Sequence, residues 1–368
     1  MKIADFTSTT KTPLNLRVTY SSAIDLLCAL WIIGSEGDNA LEDNELGDQW
    51  FTDLEAALTP STREELSLIG NGDAWIALIP VLPEAGEGAT IAEFIEFLAE
   101  MDPADLRYRL ITVYDVFDES HRELMADAAE GNAEAIEALL SVEELSTPEM
   151  KKWRGSLQHL LALDPVDTRE LIVGVLRSVQ DEAFSKIEEE FRPYLEADFR
   201  SKRTMQRRVS PERLLEVATS GINFSDEHAR RPIVLMPTMV ARPWVVVAAR
   251  SDFFVLGYPV ADEHLEADGD APPQWLVKLH RALGDERRLR VLRTLAQGDA
   301  SLAELAETVD IAKSTLHHHL MLLRAAGLVR VQVGEDKRYS LRSDTFGDAA
   351  AMLDCYINAT PDKEETTS

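Results

Sequence analysis

The side chains whose types and spacing suggest chemistry lie near the C-terminus, on one face of a predicted helix over residues 312–326, which we call the recognition helix. Leu316, Leu320 and Leu323 recur at helical spacing and predict its buried side. The opposite side carries polar and basic side chains that can reach base edges and phosphates, as a helix entering the major groove of duplex DNA requires. The predicted DNA-contacting residues of this helix are Lys313, Ser314, Thr315, His317 and His318.

A two-stranded hairpin is predicted directly after the recognition helix. Valines alternate with polar residues over 329–333, residues 334–337 have the composition of a turn, and residues 338–341 return as a second strand. Basic side chains near such a tip suit contact with phosphates. The hairpin is therefore predicted to be a wing that adds Lys337 and Arg338 to the DNA-binding surface.

Two further helices are predicted before the recognition helix. Asp285 can cap the first of them, and Ser301 with Glu304 forms the pattern of a capping box for the second. A tight turn at 310–311 then leads into the recognition helix, which Gly327 can close in a left-handed conformation. Helices joined by tight turns and followed by a hairpin predict a winged helix-turn-helix.

With these elements in place, residues 283–341 resemble the ArsR/SmtB family of bacterial transcription regulators. The resemblance implies a DNA-binding domain that works as a homodimer, with repression as its usual output. In the family the flanking helices form the dimer interface, and they correspond here to 275–283 and 346–357. The residues that carry the resemblance are Leu283, Gly284, Asp285, Arg287, Arg288, Leu289, Arg290 and Val291, then 302–306, Ser314, Thr315, Leu316, His318, His319, Leu320, 323–326, Gly327, Leu328 and Val329.

Two residues depart from the family pattern. Ala312 stands where a capping serine is common, and Asp310 replaces the glycine often found in the turn. Both departures bear on the local geometry at the start of the recognition helix.

Many members of this family sense metal ions, but the residues here predict no metal site. The helix before the turn has no cysteine, and the chain holds only Cys28 and Cys355. The three consecutive histidines of the recognition helix point about 100° apart and cannot close on one ion. The candidate ligands in the final helix include no histidine; they are Asp344, Asp348, Asp354 and Cys355. We expect neither a metal nor a cofactor.

The charge distribution separates the DNA-reading segment from the rest. The whole chain of 368 residues has a formal net charge of −28, whereas residues 274–345 hold 12 Lys and Arg against 9 Asp and Glu. Acidic surface repels DNA phosphate, so affinity for double-stranded DNA is expected to come from the basic segment alone.

The predicted fold class is α+β. Residues 1–260 form a large, mostly helical N-terminal domain that ends in a small antiparallel sheet, with 1–199 and 200–260 as candidate subdomains. An acidic, proline-containing linker follows at 261–273, then the winged helix-turn-helix at 274–358 and a polar tail at 359–368. The N-terminal domain is interpreted as a regulatory or sensor domain because DNA reading needs only a small module.

A basic run at 200–208 interrupts the acidic N-terminal region. It has three interpretations: an anion or nucleic-acid contact, a solvated face, or an internal ion-pair partner for Glu188, Glu189 and Glu190. The absence of interleaved aromatic residues argues against the first.

Neither catalysis nor membrane insertion is predicted. The chain lacks a phosphate loop, a dinucleotide fingerprint, a nucleophile elbow and a zinc-protease histidine pair. The apolar helix predicted to end at Gly34 contains Asp25 and is too short to span a bilayer. A polar N-terminus and two distant cysteines predict a cytoplasmic protein.

These observations predict a bacterial transcription regulator, with repression expected, that binds a palindromic operator as a homodimer. A small molecule or a protein bound by the N-terminal domain would modulate DNA binding. The alternative is a constitutive DNA-binding or scaffold protein whose N-terminal domain mediates dimerisation or protein interaction, and a fused enzyme is a third reading. Five tryptophans suit either a ligand pocket or a core: Trp31, Trp50, Trp75, Trp153 and Trp244.

Overall fold

The computed structural model describes residues 14–35, 44–70, 72–112, 119–146, 150–224, 231–250, 252–265, 274–333 and 337–342, with positions 353 and 356–357. These residues form two compact units. The N-terminal unit comprises 14–214 and 231–260, and the C-terminal unit comprises 215–224 and the described residues from 261 onward. Residues 215–224, which the sequence assigns to the N-terminal domain, cluster here with the C-terminal unit.

Helices dominate both units. In the N-terminal unit, and across its boundary at residue 214, they are α1 (Ala23–Gly34), α2 (Asp48–Ala57), α3 (Pro60–Ile69), α4 (Asp73–Leu78), α5 (Ile91–Glu100), α6 (Pro103–Ile111), α7 (Arg122–Ala129), α8 (Ala133–Leu140), α9 (Lys151–Ala162), α10 (Pro165–Val179), α11 (Ser185–Gln206) and α12 (Pro211–Ala218). In the C-terminal unit they are α13 (Gln274–Leu283), α14 (Glu286–Leu295), α15 (Leu302–Val309) and α16 (Lys313–Ala325).

The strands form two four-stranded sheets, one in each unit. In order along the chain they are β1 (Leu16–Val18), β2 (Ile222–Phe224), β3 (Ile233–Thr238), β4 (Val246–Ala249), β5 (Phe254–Pro259), β6 (Ala300–Ser301), β7 (Val329–Val333) and β8 (Arg338–Leu341).

The sheet of the N-terminal unit is mixed, which corrects the predicted antiparallel sheet. Its order is β1-β3-β5-β4; β1, β3 and β5 run parallel, and only β4 is antiparallel to β5. Every residue of β3 is buried, and unbroken apolar runs of this kind are typical of parallel strands covered on both faces. Because β1 comes from residues 16–18, the predicted subdomains 1–199 and 200–260 share this sheet and are not separate.

One long helical segment runs through the N-terminal unit. It runs from Pro165 to Gln206 through a π-helical turn at Gln180–Phe184 and continues past Pro193. Glu182 in the π turn accepts hydrogen bonds from the Thr59 amide and the Thr62 hydroxyl, which fixes the start of α3 against it. The long helix thereby orders the shorter helices around it.

The basic run at 200–208 lies at the end of α11, and three of its charges are paired inside the N-terminal unit. The ion-pair interpretation is confirmed for these three, but their partners differ from the predicted Glu188, Glu189 and Glu190. The pairs are Lys202 with Asp198 at 2.8 Å, Arg200 with Glu196 at 2.7 Å, and Arg203 with Glu87.

Among the described residues, no single helix combines the length and the apolar composition needed to cross a membrane. The pair formed by Pro60–Ile69 and Asp73–Glu84 meets both criteria only when its two members are taken together across a bend of 77°.

Candidate nucleic-acid interface

The turn between α15 and α16 has the geometry of a helix-turn-helix. Ser301 and Glu304 form the predicted capping box, in which the Glu304 carboxylate accepts from the Ser301 amide at 2.7 Å. Asp310 adopts φ 57° and ψ 55°, the left-handed conformation that a glycine usually provides. Ala312 has extended backbone angles at the start of α16 and supplies no side-chain cap. The two departures from the family pattern are thus accommodated without loss of the turn.

The recognition helix α16 presents its polar side to solvent. Leu316, Leu320 and Leu323 are buried in the C-terminal unit. Opposite them, Lys313, Ser314 and His317 are exposed, while Thr315 and His318 are half-buried. Side chains at 313, 314 and 317 share a face, since three and four residues make about one helical turn. These three therefore form the accessible part of the predicted reading face.

His319 points away from that face. It is 8% exposed, and among the described residues neither ring nitrogen has a hydrogen-bond partner. Burial lowers the pKa of His319, opposed by the nearby carboxylate of Asp285. A neutral, buried imidazole facing the start of α14 is a packing residue, so the three consecutive histidines occupy three different environments.

The basic residues of the wing lie close to other residues of the C-terminal unit. Strands β7 and β8 pair antiparallel, with Val331 opposite Tyr339. The Nζ atom of Lys337 lies 5.9 Å from the centroid of the buried Tyr339 ring. Arg338 donates to the carbonyl oxygen of Asp299 at 2.6 Å and lies 3.6 Å from the Glu304 carboxylate. Lys337 and Arg338 are exposed residues, but Arg338 also ties the wing to the helix before the turn.

His317, Lys337 and Arg324 make a group of basic side chains between the recognition helix and the wing, which we call the cationic group. Burial lowers the pKa of His317, and the charges of Lys337, His318 and Arg324 lower it further. Burial and the charge of Arg324 likewise lower the pKa of Lys337. Among the described residues, which exclude 334–336, no carboxylate forms an ion pair with any of the three. An anion beside these side chains would favour their charged forms.

The sequence reasoning missed Arg324 because it lies on the predicted core side of the helix. It is 7% exposed and donates to the carbonyl oxygen of Thr219, at the end of α12. Burial lowers its pKa to about 10, against an opposing effect of Tyr339. An arginine among the leucines of an amphipathic pattern was the available signal, since arginine is rarely fully buried without a dedicated acceptor.

No metal centre can be assembled from the described residues, which contain no group of three His, Cys, Asp or Glu side chains placed to hold an ion. The ligands considered in the final helix, Asp344, Asp348, Asp354 and Cys355, lie outside the described residues, as does most of the predicted dimer segment 346–357.

Comparison with known proteins places similarity in this region. The family model for bacterial regulatory proteins of the arsR family matches residues 285–331. An uncharacterized HTH-type transcriptional regulator of Bacillus subtilis, YceK, is 39% identical over 72 residues, which cover 19% of this chain and 72% of YceK. The transcriptional repressor SdpR of the same organism is 29% identical over 79 residues, 21% of this chain and 88% of SdpR. The transcriptional activator HlyU of Vibrio cholerae is 38% identical over 56 residues, 15% of this chain and 52% of HlyU.

Proposed function

The chain belongs to the arsR family of bacterial regulatory proteins, and from that premise we propose that it is a cytoplasmic transcriptional regulator which binds a palindromic operator as a homodimer. The recognition helix α16 reads bases in the major groove, and the wing contacts the phosphate backbone. The N-terminal unit modulates this binding through a small-molecule or protein effector.

The observation that carries the proposal is the cationic group between α16 and β8. Three basic side chains are held together by the fold, and burial lowers the pKa of each, with neighbouring positive charge lowering those of His317 and Lys337 further. A DNA phosphate beside His317 and Lys337, the two exposed members, would favour their charged forms and raise the pKa values that the free protein depresses. Lys313 and Ser314 at the start of the helix are exposed for contact with base edges or the adjacent phosphates.

Dimer formation is supported by apolar side chains that the monomer leaves in solvent. Trp275 on α13 is 41% exposed and Leu289 on α14 is 48% exposed. Exposed large apolar side chains on such helices are typical of a protein interface. In a two-fold dimer the paired recognition helices would meet half-sites about one helical turn, roughly 34 Å, apart.

Repression is the expected output, as in the similar transcriptional repressor SdpR, and the similar transcriptional activator HlyU makes activation the competing outcome. Binding over a promoter would act by excluding polymerase. In vitro transcription from a promoter carrying the selected site decides between a decrease and an increase of transcript.

An effector site is proposed in the N-terminal unit, at an open cavity of about 740 Å³ between the ends of α7 to α10. Arg154, Gln158 and Ser141 offer polar contacts beside apolar Leu140 and Leu161. None of the five tryptophans considered for a pocket lines this cavity, and Trp75 and Trp153 are each 1% exposed in the core. A metabolite that raises the melting temperature of the wild type but not of an Arg154→Ala variant would support this site. Equal shifts in both proteins would contradict it.

Selection from random duplexes by the full-length chain at one fixed salt concentration tests the DNA-binding proposal. We expect a palindrome to be enriched by the wild type and by Lys186→Gln, which removes an exposed positive charge from α11. Lys313→Gln, which removes the same charge from α16, should weaken or alter the enrichment. If the wild type enriches no site, the proposed function is wrong.

A further inference from the structure

The fourth strand of the wing sheet comes from a distant part of the chain. Residues 215–224, which we call the strap, contain the end of α12 and the whole of β2, and they precede strands β3 to β5 of the N-terminal unit. In the C-terminal unit β2 lies parallel to β7, with Ile222 opposite Val331, and the Val331 amide donates to the Gly221 carbonyl at 2.9 Å. The sheet order is accordingly β2-β7-β8-β6.

Two side-chain interactions hold the strap to the elements that would meet DNA. The buried guanidinium of Arg324, on α16, donates to the carbonyl oxygen of Thr219. In β7, the Nε atom of Arg330 lies 2.7 Å from the Glu216 carboxylate, which is 14% exposed. A buried arginine that loses its acceptor leaves an unsatisfied charged donor, so displacement of the strap would destabilise the position of α16.

The strap is also covalently continuous with the N-terminal unit at Leu214, within α12. Because this helix begins in the N-terminal unit at Pro211 and ends in the strap at Ala218, a change at its start can reach Thr219, the acceptor of Arg324.

We propose that the strap is a functional part of the DNA-binding domain, in which Gly221, Thr219 and Arg324 act as positioning residues that set the recognition helix for specific sites. This inference rests on the proposed DNA-binding function and extends it to the regulation of that site. It follows that residues 274–368 alone form an incomplete reader, with an unpaired β7 edge and a buried arginine without its acceptor.

Gly221→Ala tests the strap in the full-length protein. Gly221 has φ +107°, and an added Cβ would lie 3.1 Å from the Val329 carbonyl oxygen and 3.4 Å from the Arg330 Cα atom, neither of which is a flexible side-chain end. Gly86→Ala is the matched control, because Gly86 has φ +111° with no atom within 4 Å of the added Cβ. The pair separates backbone strain from displacement of the strap.

The readout is the ratio of affinities for the selected site and for a random duplex at one salt concentration. Gly221→Ala should reduce this ratio about tenfold, within the usual range of coupling between sites, while the random-duplex affinity stays near that of wild type. Gly86→Ala should leave the ratio unchanged. A wild-type ratio in Gly221→Ala, or an equal loss on both duplexes, overturns the positioning role.

A second measurement keeps the two proposals distinguishable. Amide hydrogen exchange without DNA should be faster in α16 and β7 of Gly221→Ala, and of the milder Glu216→Gln, than in wild type. Unchanged exchange in both variants overturns the positioning role of the strap, whether or not the protein proves to bind a specific DNA site. Faster exchange together with a wild type that binds no specific site would instead overturn only the proposed function.

Discussion

The carboxylate of Asp25 accepts a hydrogen bond of 2.6 Å from the hydroxyl of Thr238, which joins helix α1 to the end of strand β3. The same oxygen accepts from the amides of Met239 and Val240, while the second oxygen has no hydrogen-bond partner among the described residues. Complete burial raises the pKa of Asp25 from 3.8 to about 6, although the three hydrogen bonds lower it. One acidic side chain thus anchors the sheet of the N-terminal unit in an apolar core.

The stability of the N-terminal unit should fall as pH rises from 4 to 7. A carboxyl group whose pKa is raised by folding contributes stability that is fully present below its unfolded value of 3.8 and is lost as pH passes through about 6. The shift corresponds to about 3 kcal/mol in the free energy of unfolding. Urea unfolding followed by tryptophan fluorescence measures it, since Trp275 is the one tryptophan of six outside residues 12–260.

Asp25→Asn should flatten that part of the pH dependence whatever its effect on absolute stability. The exposed Asp53→Asn on α2 is the matched control and should keep the wild-type slope. Equal slopes in all three proteins would show that Asp25 does not titrate with the raised pKa.

DNA affinity should increase as pH falls from 7.5 to 6, because of His317. Burial and the neighbouring charges of Lys337, His318 and Arg324 hold its pKa below 6.5 in the free protein, and a bound phosphate would raise it. Binding therefore takes up a proton, and affinity changes by up to about tenfold for each unit by which the pKa rises. Fluorescence anisotropy at several pH values measures this effect.

The matched pair for this measurement is His317→Gln and His159→Gln, the latter on the exposed side of α9. We expect the first variant to lose the pH dependence and the second to retain it. Retention by both would place the responsible proton on a group other than His317.

Lys337→Gln should reduce the steepness of the salt dependence of DNA binding by about 0.9 in the log–log slope, the value for one phosphate contact. Lys337 is an exposed residue at the end of the wing, and its ammonium forms no ion pair with the described residues. Lys186→Gln, with the same change of charge on α11, should leave the slope unaltered. A wild-type slope in Lys337→Gln would remove this side chain from the interface.

Arg338→Gln is expected to reduce the slope in the same way and, in addition, to destabilise the domain. Its guanidinium donates to the Asp299 carbonyl and lies near the Glu304 carboxylate of the capping box. Loss of one such bond costs about 1 kcal/mol. If thermal unfolding shows the destabilisation while the salt slope stays at the wild-type value, Arg338 is a structural residue of the wing only.

Local chemistry explains why the C-terminal unit was predictable. The capping box of Ser301 and Glu304, the left-handed Gly327 with φ +72°, and the leucine spacing of α16 each depend on residues within a few positions of one another. The exposed face of α16 follows from the same spacing, so Lys313, Ser314 and His317 were placed correctly on the solvent side.

Pairing between distant segments explains what was missed. The strand β2 has three residues and its partner β7 lies more than a hundred positions later, so no local pattern predicts their union. Alternation of apolar and polar residues indicates which face of a strand is buried, but not which strand lies beside it or in which direction. The parallel pairing of β3 with β5 therefore could not be predicted from it. The acceptor that satisfies the buried Arg324, the carbonyl of Thr219, belongs to that distant segment and was equally unpredictable from local pattern.

The uncapped start of α16 leads to the final prediction, in which stability and DNA affinity change in opposite directions. Ala312 has the extended backbone angles of an N-cap residue, φ −61° and ψ 143°, yet has no oxygen to accept from the first amides of the helix. Ala312→Ser should supply that acceptor and stabilise the C-terminal unit by about 1 kcal/mol. If those amides donate to a DNA phosphate in the complex, the serine competes with it and weakens binding.

Ala312→Gly is the control for this variant, because glycine is tolerated at an N-cap but offers no side-chain oxygen. Hydrogen exchange of the α16 amides and anisotropy on the selected duplex give the two quantities. A serine variant that is more stable and binds as tightly as wild type would mean that the helix start donates to no phosphate. A serine variant that is no more stable than wild type would mean that the first amides of α16 do not donate to the side chain at position 312.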